Sequence, residues 1–192
     1  MSFVSVYAME NFVNVVSDGQ VTDPTGKITN KNYKKFVKIG QQQFMAFAGN
    51  QGLAEQAVKI VPFKNEGYPL SVLAQDLHKQ VLTIPVDDAS ILLAVGGLNE
   101  KNEIEVISFS NRTDQKNYFN PKGDEIAYTF LTNTKNNISD EISETKLNQF
   151  LSETGYNTSS KAIRAQKKLN DFISDNDSTV NKVTFELNIK KR

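Results

Sequence analysis

Four short runs of β-branched and aromatic residues occupy the first fifty positions, and this grouping constrains the fold more than any other feature. Only residues 9–11 separate the first two runs, Phe3–Ala8 and Phe12–Val16, which predicts a tight hairpin. A glycine separates the second pair, Lys34–Ile39 and Gln43–Ala48, and predicts another hairpin. The Pro, Gly and Asn residues of 23–32 predict a loop between the pairs.

Helical spacing follows these strands. Apolar residues recur every three or four positions from Leu53 to Val61 and from Leu70 to Val81, and a proline follows each segment. The remaining expected elements are strands at Ser90–Val95, Ile104–Phe109 and Ile126–Leu131, helices around Ile142–Leu151 and Ala162–Phe172, and a half-buried strand at Val183–Ile189.

Strands grouped ahead of paired helices predict an α+β fold, in which antiparallel sheets carry helices on their outer faces. A four-layer αββα sandwich satisfies this order. With 192 residues and 39% apolar residues, the chain is long enough for one domain, residues 1–192, with a full core.

Composition excludes several classes of function. Lys plus Arg equals Asp plus Glu at 22 each, so there is no electrostatic basis for binding nucleic acid or an anionic membrane. The absence of Cys excludes disulfides, thiolate metal sites and a Cys nucleophile. No apolar run approaches a membrane span and no leader pattern is present. We therefore expect a soluble cytoplasmic protein that needs no metal or other cofactor.

Three motifs near the N-terminus carry a family resemblance: S-D-G-Q-V-T at 17–22, K-K-F-V-K-I at 34–39 and F-A-G at 47–49. Together they resemble the N-terminal third of proteasome β-type proteins. They are most similar to the peptidase subunit of the bacterial two-component ATP-dependent ring protease. The resemblance implies the proteasome-like fold of the N-terminal-nucleophile hydrolases.

The same resemblance assigns catalytic positions. In the family a Thr or Ser begins the mature chain, and a carboxylate follows sixteen positions later, the separation of Ser2 and Asp18 here. The family's lysine falls on Lys35, and its oxyanion glycine falls on Gly49 at the family spacing. A supporting D-x-x-S motif of the family corresponds to the segment from Asp175 to Ser178. These six residues are the catalytic candidates.

Substrate and assembly are also implied by the resemblance. Specificity pockets would be lined by Val21, Phe47 and Gln51, while the main chains of Thr22 and Gly49 would pair with an extended peptide or protein substrate. That arrangement implies cleavage after apolar or medium-sized side chains. The family also implies a homo-oligomeric ring and admits an ATPase unfoldase as partner, with neither nucleic acid nor membrane involved.

The chemistry explains why these residue types are needed. A serine hydroxyl is a poor nucleophile until a base takes its proton. If Met1 is removed, the freed α-amine of Ser2, with an ordinary pKa of ~7.7–8.0, serves as that base. A buried Lys35 ammonium lowers the pKa of this amine, and Asp18 keeps Lys35 charged. With the Gly49 amide facing the oxyanion, the sequence predicts a Ser-dependent amide hydrolase, a peptidase.

Two observations keep an alternative open. Aligning residues 3–6 with the family without a gap puts Met1 at the nucleophile position and requires an insertion in the first hairpin. The family's G-S-G strand end also has no counterpart, and A-Y-T-F-L-T-N at 127–133 stands in its place. This alternative predicts a catalytically inactive structural or assembly subunit. An aspartate before a glycine, as at Asp18, is by itself typical of a turn. The hydrolase hypothesis therefore depends on the spacing of the catalytic candidates taken together.

Overall fold

The computed structural model describes residues 2–23, 25–86, 89–136 and 138–191. Within these ranges the elements are β1 (Ser2–Met9), β2 (Phe12–Asp18), β3 (Val21–Thr22), β4 (Ile28–Asn30), β5 (Phe36–Gly40), β6 (Gln43–Gly49), α1 (Gln51–Ile60), α2 (Leu70–Val81), β7 (Ile91–Leu98), β8 (Ile104–Ser110), β9 (Thr113–Phe119), β10 (Ala127–Asn133), α3 (Asp140–Thr154), α4 (Ser159–Asn176) and β11 (Thr184–Lys190).

The strands form two main sheets and a short ribbon. One sheet has the order β10-β1-β2-β11, the other has the order β5-β6-β7-β8-β9, and β3 pairs with β4. Neighbouring strands are antiparallel in both sheets. The two hairpins predicted at the N-terminus are confirmed as β1–β2 and β5–β6. The chain therefore has the mixed helix-and-sheet architecture with antiparallel sheets that the sequence predicts.

Three apolar clusters hold these elements together. The first joins α1 and α2 to the five-stranded sheet and includes Leu77 and Leu93. The second lies where the two sheets face each other and includes Val15 and Phe44. The third joins α3 and α4 to the four-stranded sheet and includes Leu169. Each fully buried large apolar side chain contributes about 1.5–3 kcal/mol, so these clusters supply most of the stabilisation.

Local signals in the sequence explain where the helices begin and end. Side chains of Asn50, Ser139 and Thr158 accept backbone N–H groups in the first turns of α1, α3 and α4. Helix α3 ends at Thr154, and its C-cap, Gly155, has a φ of 83° that suits a residue without a side chain. In the part of the chain that is described, none of the helices has the length and apolarity needed to cross a bilayer.

Three strands, β3, β4 and β9, were not expected from the sequence. Strand β9 has the polar sequence T-D-Q-K-N-Y-F and is exposed on both faces, so it shows no alternation of apolar and polar residues. Strand β4 falls within the segment 23–32 that was expected to be a loop. Strand β10 also extends to Asn133, two residues beyond the expected end. That extension places Asn133 opposite Ser2 of β1.

Candidate functional site

A buried ion pair lies where β2 ends and β5 is about to begin. Lys35 Nζ is 2.6 Å from Asp18 Oδ1, and the two side chains are 2% and 0% exposed. The ammonium also donates to the Asp18 carbonyl oxygen at 3.0 Å. Burial lowers the pKa of Lys35 from its ordinary value, while the charge of Asp18 opposes that shift. Such a pair is stable only when further hydrogen bonds satisfy its polar atoms.

The Asp18 carboxylate connects this pair to the beginning of β1. Its Oδ1 accepts the Phe3 N–H at 2.9 Å, and its Oδ2 accepts the Gln20 N–H at 2.8 Å. Strands β1 and β2 pair continuously from Val4 opposite Ser17 to Met9 opposite Phe12. Because Ser2 directly precedes Phe3, this register brings Ser2 to the ion pair.

A cavity of about 580 Å³ opens beside these residues. Ser2, Lys35 and Gly49 line it. The four residues predicted to bind substrate line it as well: Val21, Thr22, Phe47 and Gln51. The structure therefore collects into one cavity three of the six catalytic candidates and every substrate-binding candidate, with Asp18 directly behind Lys35.

Gly49 ends β6 in a conformation that other residues rarely adopt. Its φ is +100°, and a Cβ atom at this position would lie 2.2 Å from the carbonyl oxygen of Ser90. The next residue, Asn50, donates its N–H to that same oxygen at 2.8 Å before α1 begins. A glycine is required here because the chain turns from sheet to helix against the Ser90 backbone.

The remaining catalytic candidates, Asp175 and Ser178, do not line the cavity. Asp175 is 60% exposed and pairs with Lys182 at 2.7 Å. Ser178 is exposed, and its carbonyl oxygen accepts Gln20 Nε2 at 2.7 Å. The structure thus separates Asp175 from the other candidates and places the Ser178 backbone in contact with the segment that follows Asp18.

Asp177, which the sequence did not single out, is the buried carboxylate of this segment. It accepts the Asn136 N–H at 2.6 Å and the Thr179 N–H at 2.8 Å. These bonds tie the loop after β10 to the loop after α4. The sequence D-N-D-S shows acidic residues but does not show which of them turns inward.

Asn133 is a further cavity residue that sequence reasoning missed. It is the last residue of β10, pairs with Ser2 across the sheet and lines the cavity. Its Oδ1 lies 3.5 Å from Arg112 Nη2. Its place is identified by the register of β1 against β10, in which Asn133 pairs with Ser2, 131 positions earlier in the chain.

Met1 lies outside the described residues, so its removal, and the alternative alignment that puts it at the nucleophile position, stay predictions. Among the residues that are described, no group of three or more His, Cys, Asp or Glu side chains is arranged to hold a metal ion.

Comparison with known proteins identifies the fold. No protein-family model and no curated protein sequence matches the chain. The crystal structure of eukaryotic HslV from Trypanosoma brucei superposes with a TM-score of 0.65 and 17% sequence identity, covering 98% of this chain and 99% of that chain. HslV is the proteasome-like peptidase subunit of an ATP-dependent ring protease. The chain thus has the HslV-like fold that the three N-terminal motifs predicted.

Proposed function

We propose that this chain is an N-terminal-nucleophile amide hydrolase, a Ser-dependent peptidase. The observation that carries the proposal is the buried Lys35–Asp18 pair, held at 2.6 Å beside Ser2 at the wall of a 580 Å³ cavity. A buried ion pair costs desolvation energy, and replacement by apolar residues is often neutral or stabilising. A pair of this kind next to a hydroxyl in a cavity is therefore a candidate functional site.

The proposed reaction begins with removal of Met1, which frees the α-amine of Ser2. The neutral amine takes the proton from Ser2 Oγ as this oxygen attacks the substrate carbonyl. The tetrahedral intermediate places its negative oxygen towards the Gly49 N–H, and such a donor typically contributes about 3–4 kcal/mol. The α-ammonium then protonates the leaving amine, and an ester to Ser2 remains. Water, deprotonated by the same amine, hydrolyses this ester and regenerates the enzyme.

Lys35 and Asp18 act on this reaction through charge. The Lys35 ammonium lowers the pKa of the neighbouring α-amine, because two positive charges in a buried site repel each other. Asp18 opposes the effect of burial on the pKa of Lys35 and so favours the protonated lysine. Ser178 is assigned a supporting role: its carbonyl oxygen accepts Gln20 Nε2, and the Gln20 N–H in turn bonds to Asp18.

The proposal extends to architecture and assembly. We take residues 1–192 as a single domain in which the three apolar clusters separate the layers of an αββα sandwich. The chain assembles into a homo-oligomeric ring that encloses its cavities, acts on peptide or protein substrates in the cytoplasm and works with an ATPase unfoldase. This part rests on the similarity of fold to HslV.

The deciding experiment is the intact mass of protein made with its native N-terminus, with and without a β-lactone that acylates N-terminal nucleophiles. We expect loss of Met1 and one adduct that maps to Ser2. Ser2→Ala should abolish both the adduct and peptide hydrolysis while leaving assembly unchanged. Ser5→Ala is the matched control, because Ser5 is buried on the same strand but contacts Gln166 rather than the cavity.

A retained Met1, or a processed and assembled chain that never reacts, would instead favour the inactive structural subunit. Hydrolysis that survives Ser2→Ala would exclude the proposed mechanism.

A further inference from the structure

Two aromatic rings form one wall of the cavity. Tyr33 and Phe47 both line it, and their ring centroids lie 6.2 Å apart at an angle of 58°. Aromatic faces pack well against the aliphatic part of a long side chain and attract a cation through the ring quadrupole. This wall suits a side chain that is apolar along its length and positively charged at its end.

Two carboxylates stand at the edges of the same cavity. Asp23 lines it directly, and hydrogen bonds from Thr25 and from the Lys27 backbone lower the pKa of its carboxyl. Glu55 stands behind two lining residues: its Oε1 accepts Gln51 Nε2 at 2.8 Å and the Tyr33 hydroxyl at 3.4 Å. Burial and the charge of Glu55 raise the pKa of Tyr33. A charged group that reaches between Tyr33 and Gln51 therefore meets a carboxylate.

The positive charge at the cavity is already neutralised. Lys35 is the cationic residue among those that line the cavity, and Asp18 opposes its charge at 2.6 Å. Within the described part of the chain, neither Asp23 nor Glu55 forms an ion pair. With the charge of Lys35 offset by Asp18, the carboxylates of Asp23 and Glu55 leave an excess of negative charge at the cavity, beside the aromatic wall.

We propose that this cavity selects peptides carrying a long side chain with a terminal cation, as in lysine or arginine, at the residue before the cleaved bond. The aliphatic stem packs against Tyr33 and Phe47, and the cation faces Glu55 and Asp23. This inference rests on the proposed function, because the cavity is taken to receive the substrate. It replaces the sequence-based expectation of cleavage after apolar or medium-sized side chains.

The test compares two peptidyl epoxyketones that differ only in the residue next to the electrophile, lysine in one and norleucine in the other. Norleucine has the same aliphatic chain without the ammonium group, so the ratio of labelling rates measures recognition of the charge. We expect lysine to label Ser2 about fivefold faster, the upper range for a solvent-accessible ion pair. Glu55→Gln should lower the ratio of lysine to norleucine labelling, because it removes one of the two carboxylates that face the cation.

Glu66→Gln is the control variant, because Glu66 is an exposed carboxylate that does not line the cavity. It should keep the wild-type ratio. A norleucine reagent that labels as fast as the lysine reagent, or a ratio unaffected by Glu55→Gln, would overturn the inference.

A second measurement separates this inference from the proposed function. Fluorescence anisotropy with the same two peptides as simple amides reports binding to the Ser2→Ala protein without any reaction. Tighter binding of the lysine peptide without labelling of the wild type would sustain the charge preference and reject the hydrolase. Labelling of Ser2 with equal binding of both peptides would reject the charge preference alone.

Discussion

Gly49 is the residue whose backbone geometry the site depends on most directly. Gly49→Ala should lower the free energy of unfolding by at least about 2–3 kcal/mol, because a side chain would meet the Ser90 carbonyl at a positive φ. Thermal or urea unfolding measures this cost. Gly26→Ala is the control, since Gly26 also has a positive φ but nothing lies within 4 Å of the position of its Cβ. It should cost only about 1 kcal/mol. Equal losses in the two variants would contradict the steric argument.

The Lys35–Asp18 pair is the second feature at this scale. Lys35→Met should destabilise the fold by about 3 kcal/mol, because it leaves the buried Asp18 carboxylate without its cation. Urea unfolding at neutral pH measures the loss, with Lys38→Met as the control on the exposed side of β5. A loss as small as that of the control would mean that Asp18 needs no cation in the fold.

The lowered pKa of Lys35 makes a prediction about pH. Between its folded value and the ordinary lysine value of 10.5, the unfolded chain holds this proton and the folded chain has lost it. The free energy of unfolding contributed by Lys35 therefore rises with pH in this range. The difference in stability between wild type and Lys35→Met should grow as pH increases towards 10. A difference that shrinks over this range would show that the Lys35 pKa is not lowered.

At the scale of elements, one buried asparagine joins β2, α4 and β11. Asn14 Nδ2 donates to the Ser159 carbonyl at 3.1 Å, and Asn14 Oδ1 accepts Ser159 Oγ and Asn188 Nδ2 at 2.9 and 2.8 Å. Asn14→Ala should cost about 2–3 kcal/mol, because the partner groups lose their bonds. Chemical denaturation checks this, with Asn117→Ala on exposed β9 as a variant expected to change little. Similar costs for the two would show that the network adds no stability.

Strand β9 should be the least protected strand of its sheet. Among the described strands it pairs with β8 alone, and its side chains are largely exposed, whereas those of β8 are largely buried. Amide hydrogen exchange should therefore be at least about tenfold faster in β9 than in β8. Equal protection of the two strands would indicate that β9 is covered in solution, as by another copy in an assembly.

At the scale of the whole molecule, the central apolar cluster makes the two sheets depend on each other. It contains residues of both sheets, such as Val15 and Phe44, so neither sheet keeps its buried face if the other unfolds. Unfolding in urea should therefore be one transition, with coincident midpoints by far-UV circular dichroism and by tyrosine fluorescence, as the chain has no tryptophan. Two separated midpoints would argue against a single domain.

The sequence predicted much of the fold and part of the site. Helix α2 matches its predicted span, and both N-terminal hairpins formed where local patterns of apolar and turn residues are strong. Strand β9 was missed because six of its seven residues are exposed, so it has no apolar periodicity. Asn14 was not identified because a single polar residue within an apolar strand does not reveal its partner, which lies 145 residues away.

For the candidate site, the sequence by itself determined the residue types, their order and their spacing, from which the family fold was expected. The tertiary structure decided that Asp18 and Lys35 form a buried pair, that Asn133 lies opposite Ser2, and that Asp177 rather than Asp175 turns inward. It also brought Tyr33 and Glu55 to the cavity that Ser2 and Gly49 line. Local patterns determine strands and turns because those depend on neighbouring residues. Strand register, burial and the electrostatics of a cavity depend on residues far apart in the chain, which only the packed molecule brings together.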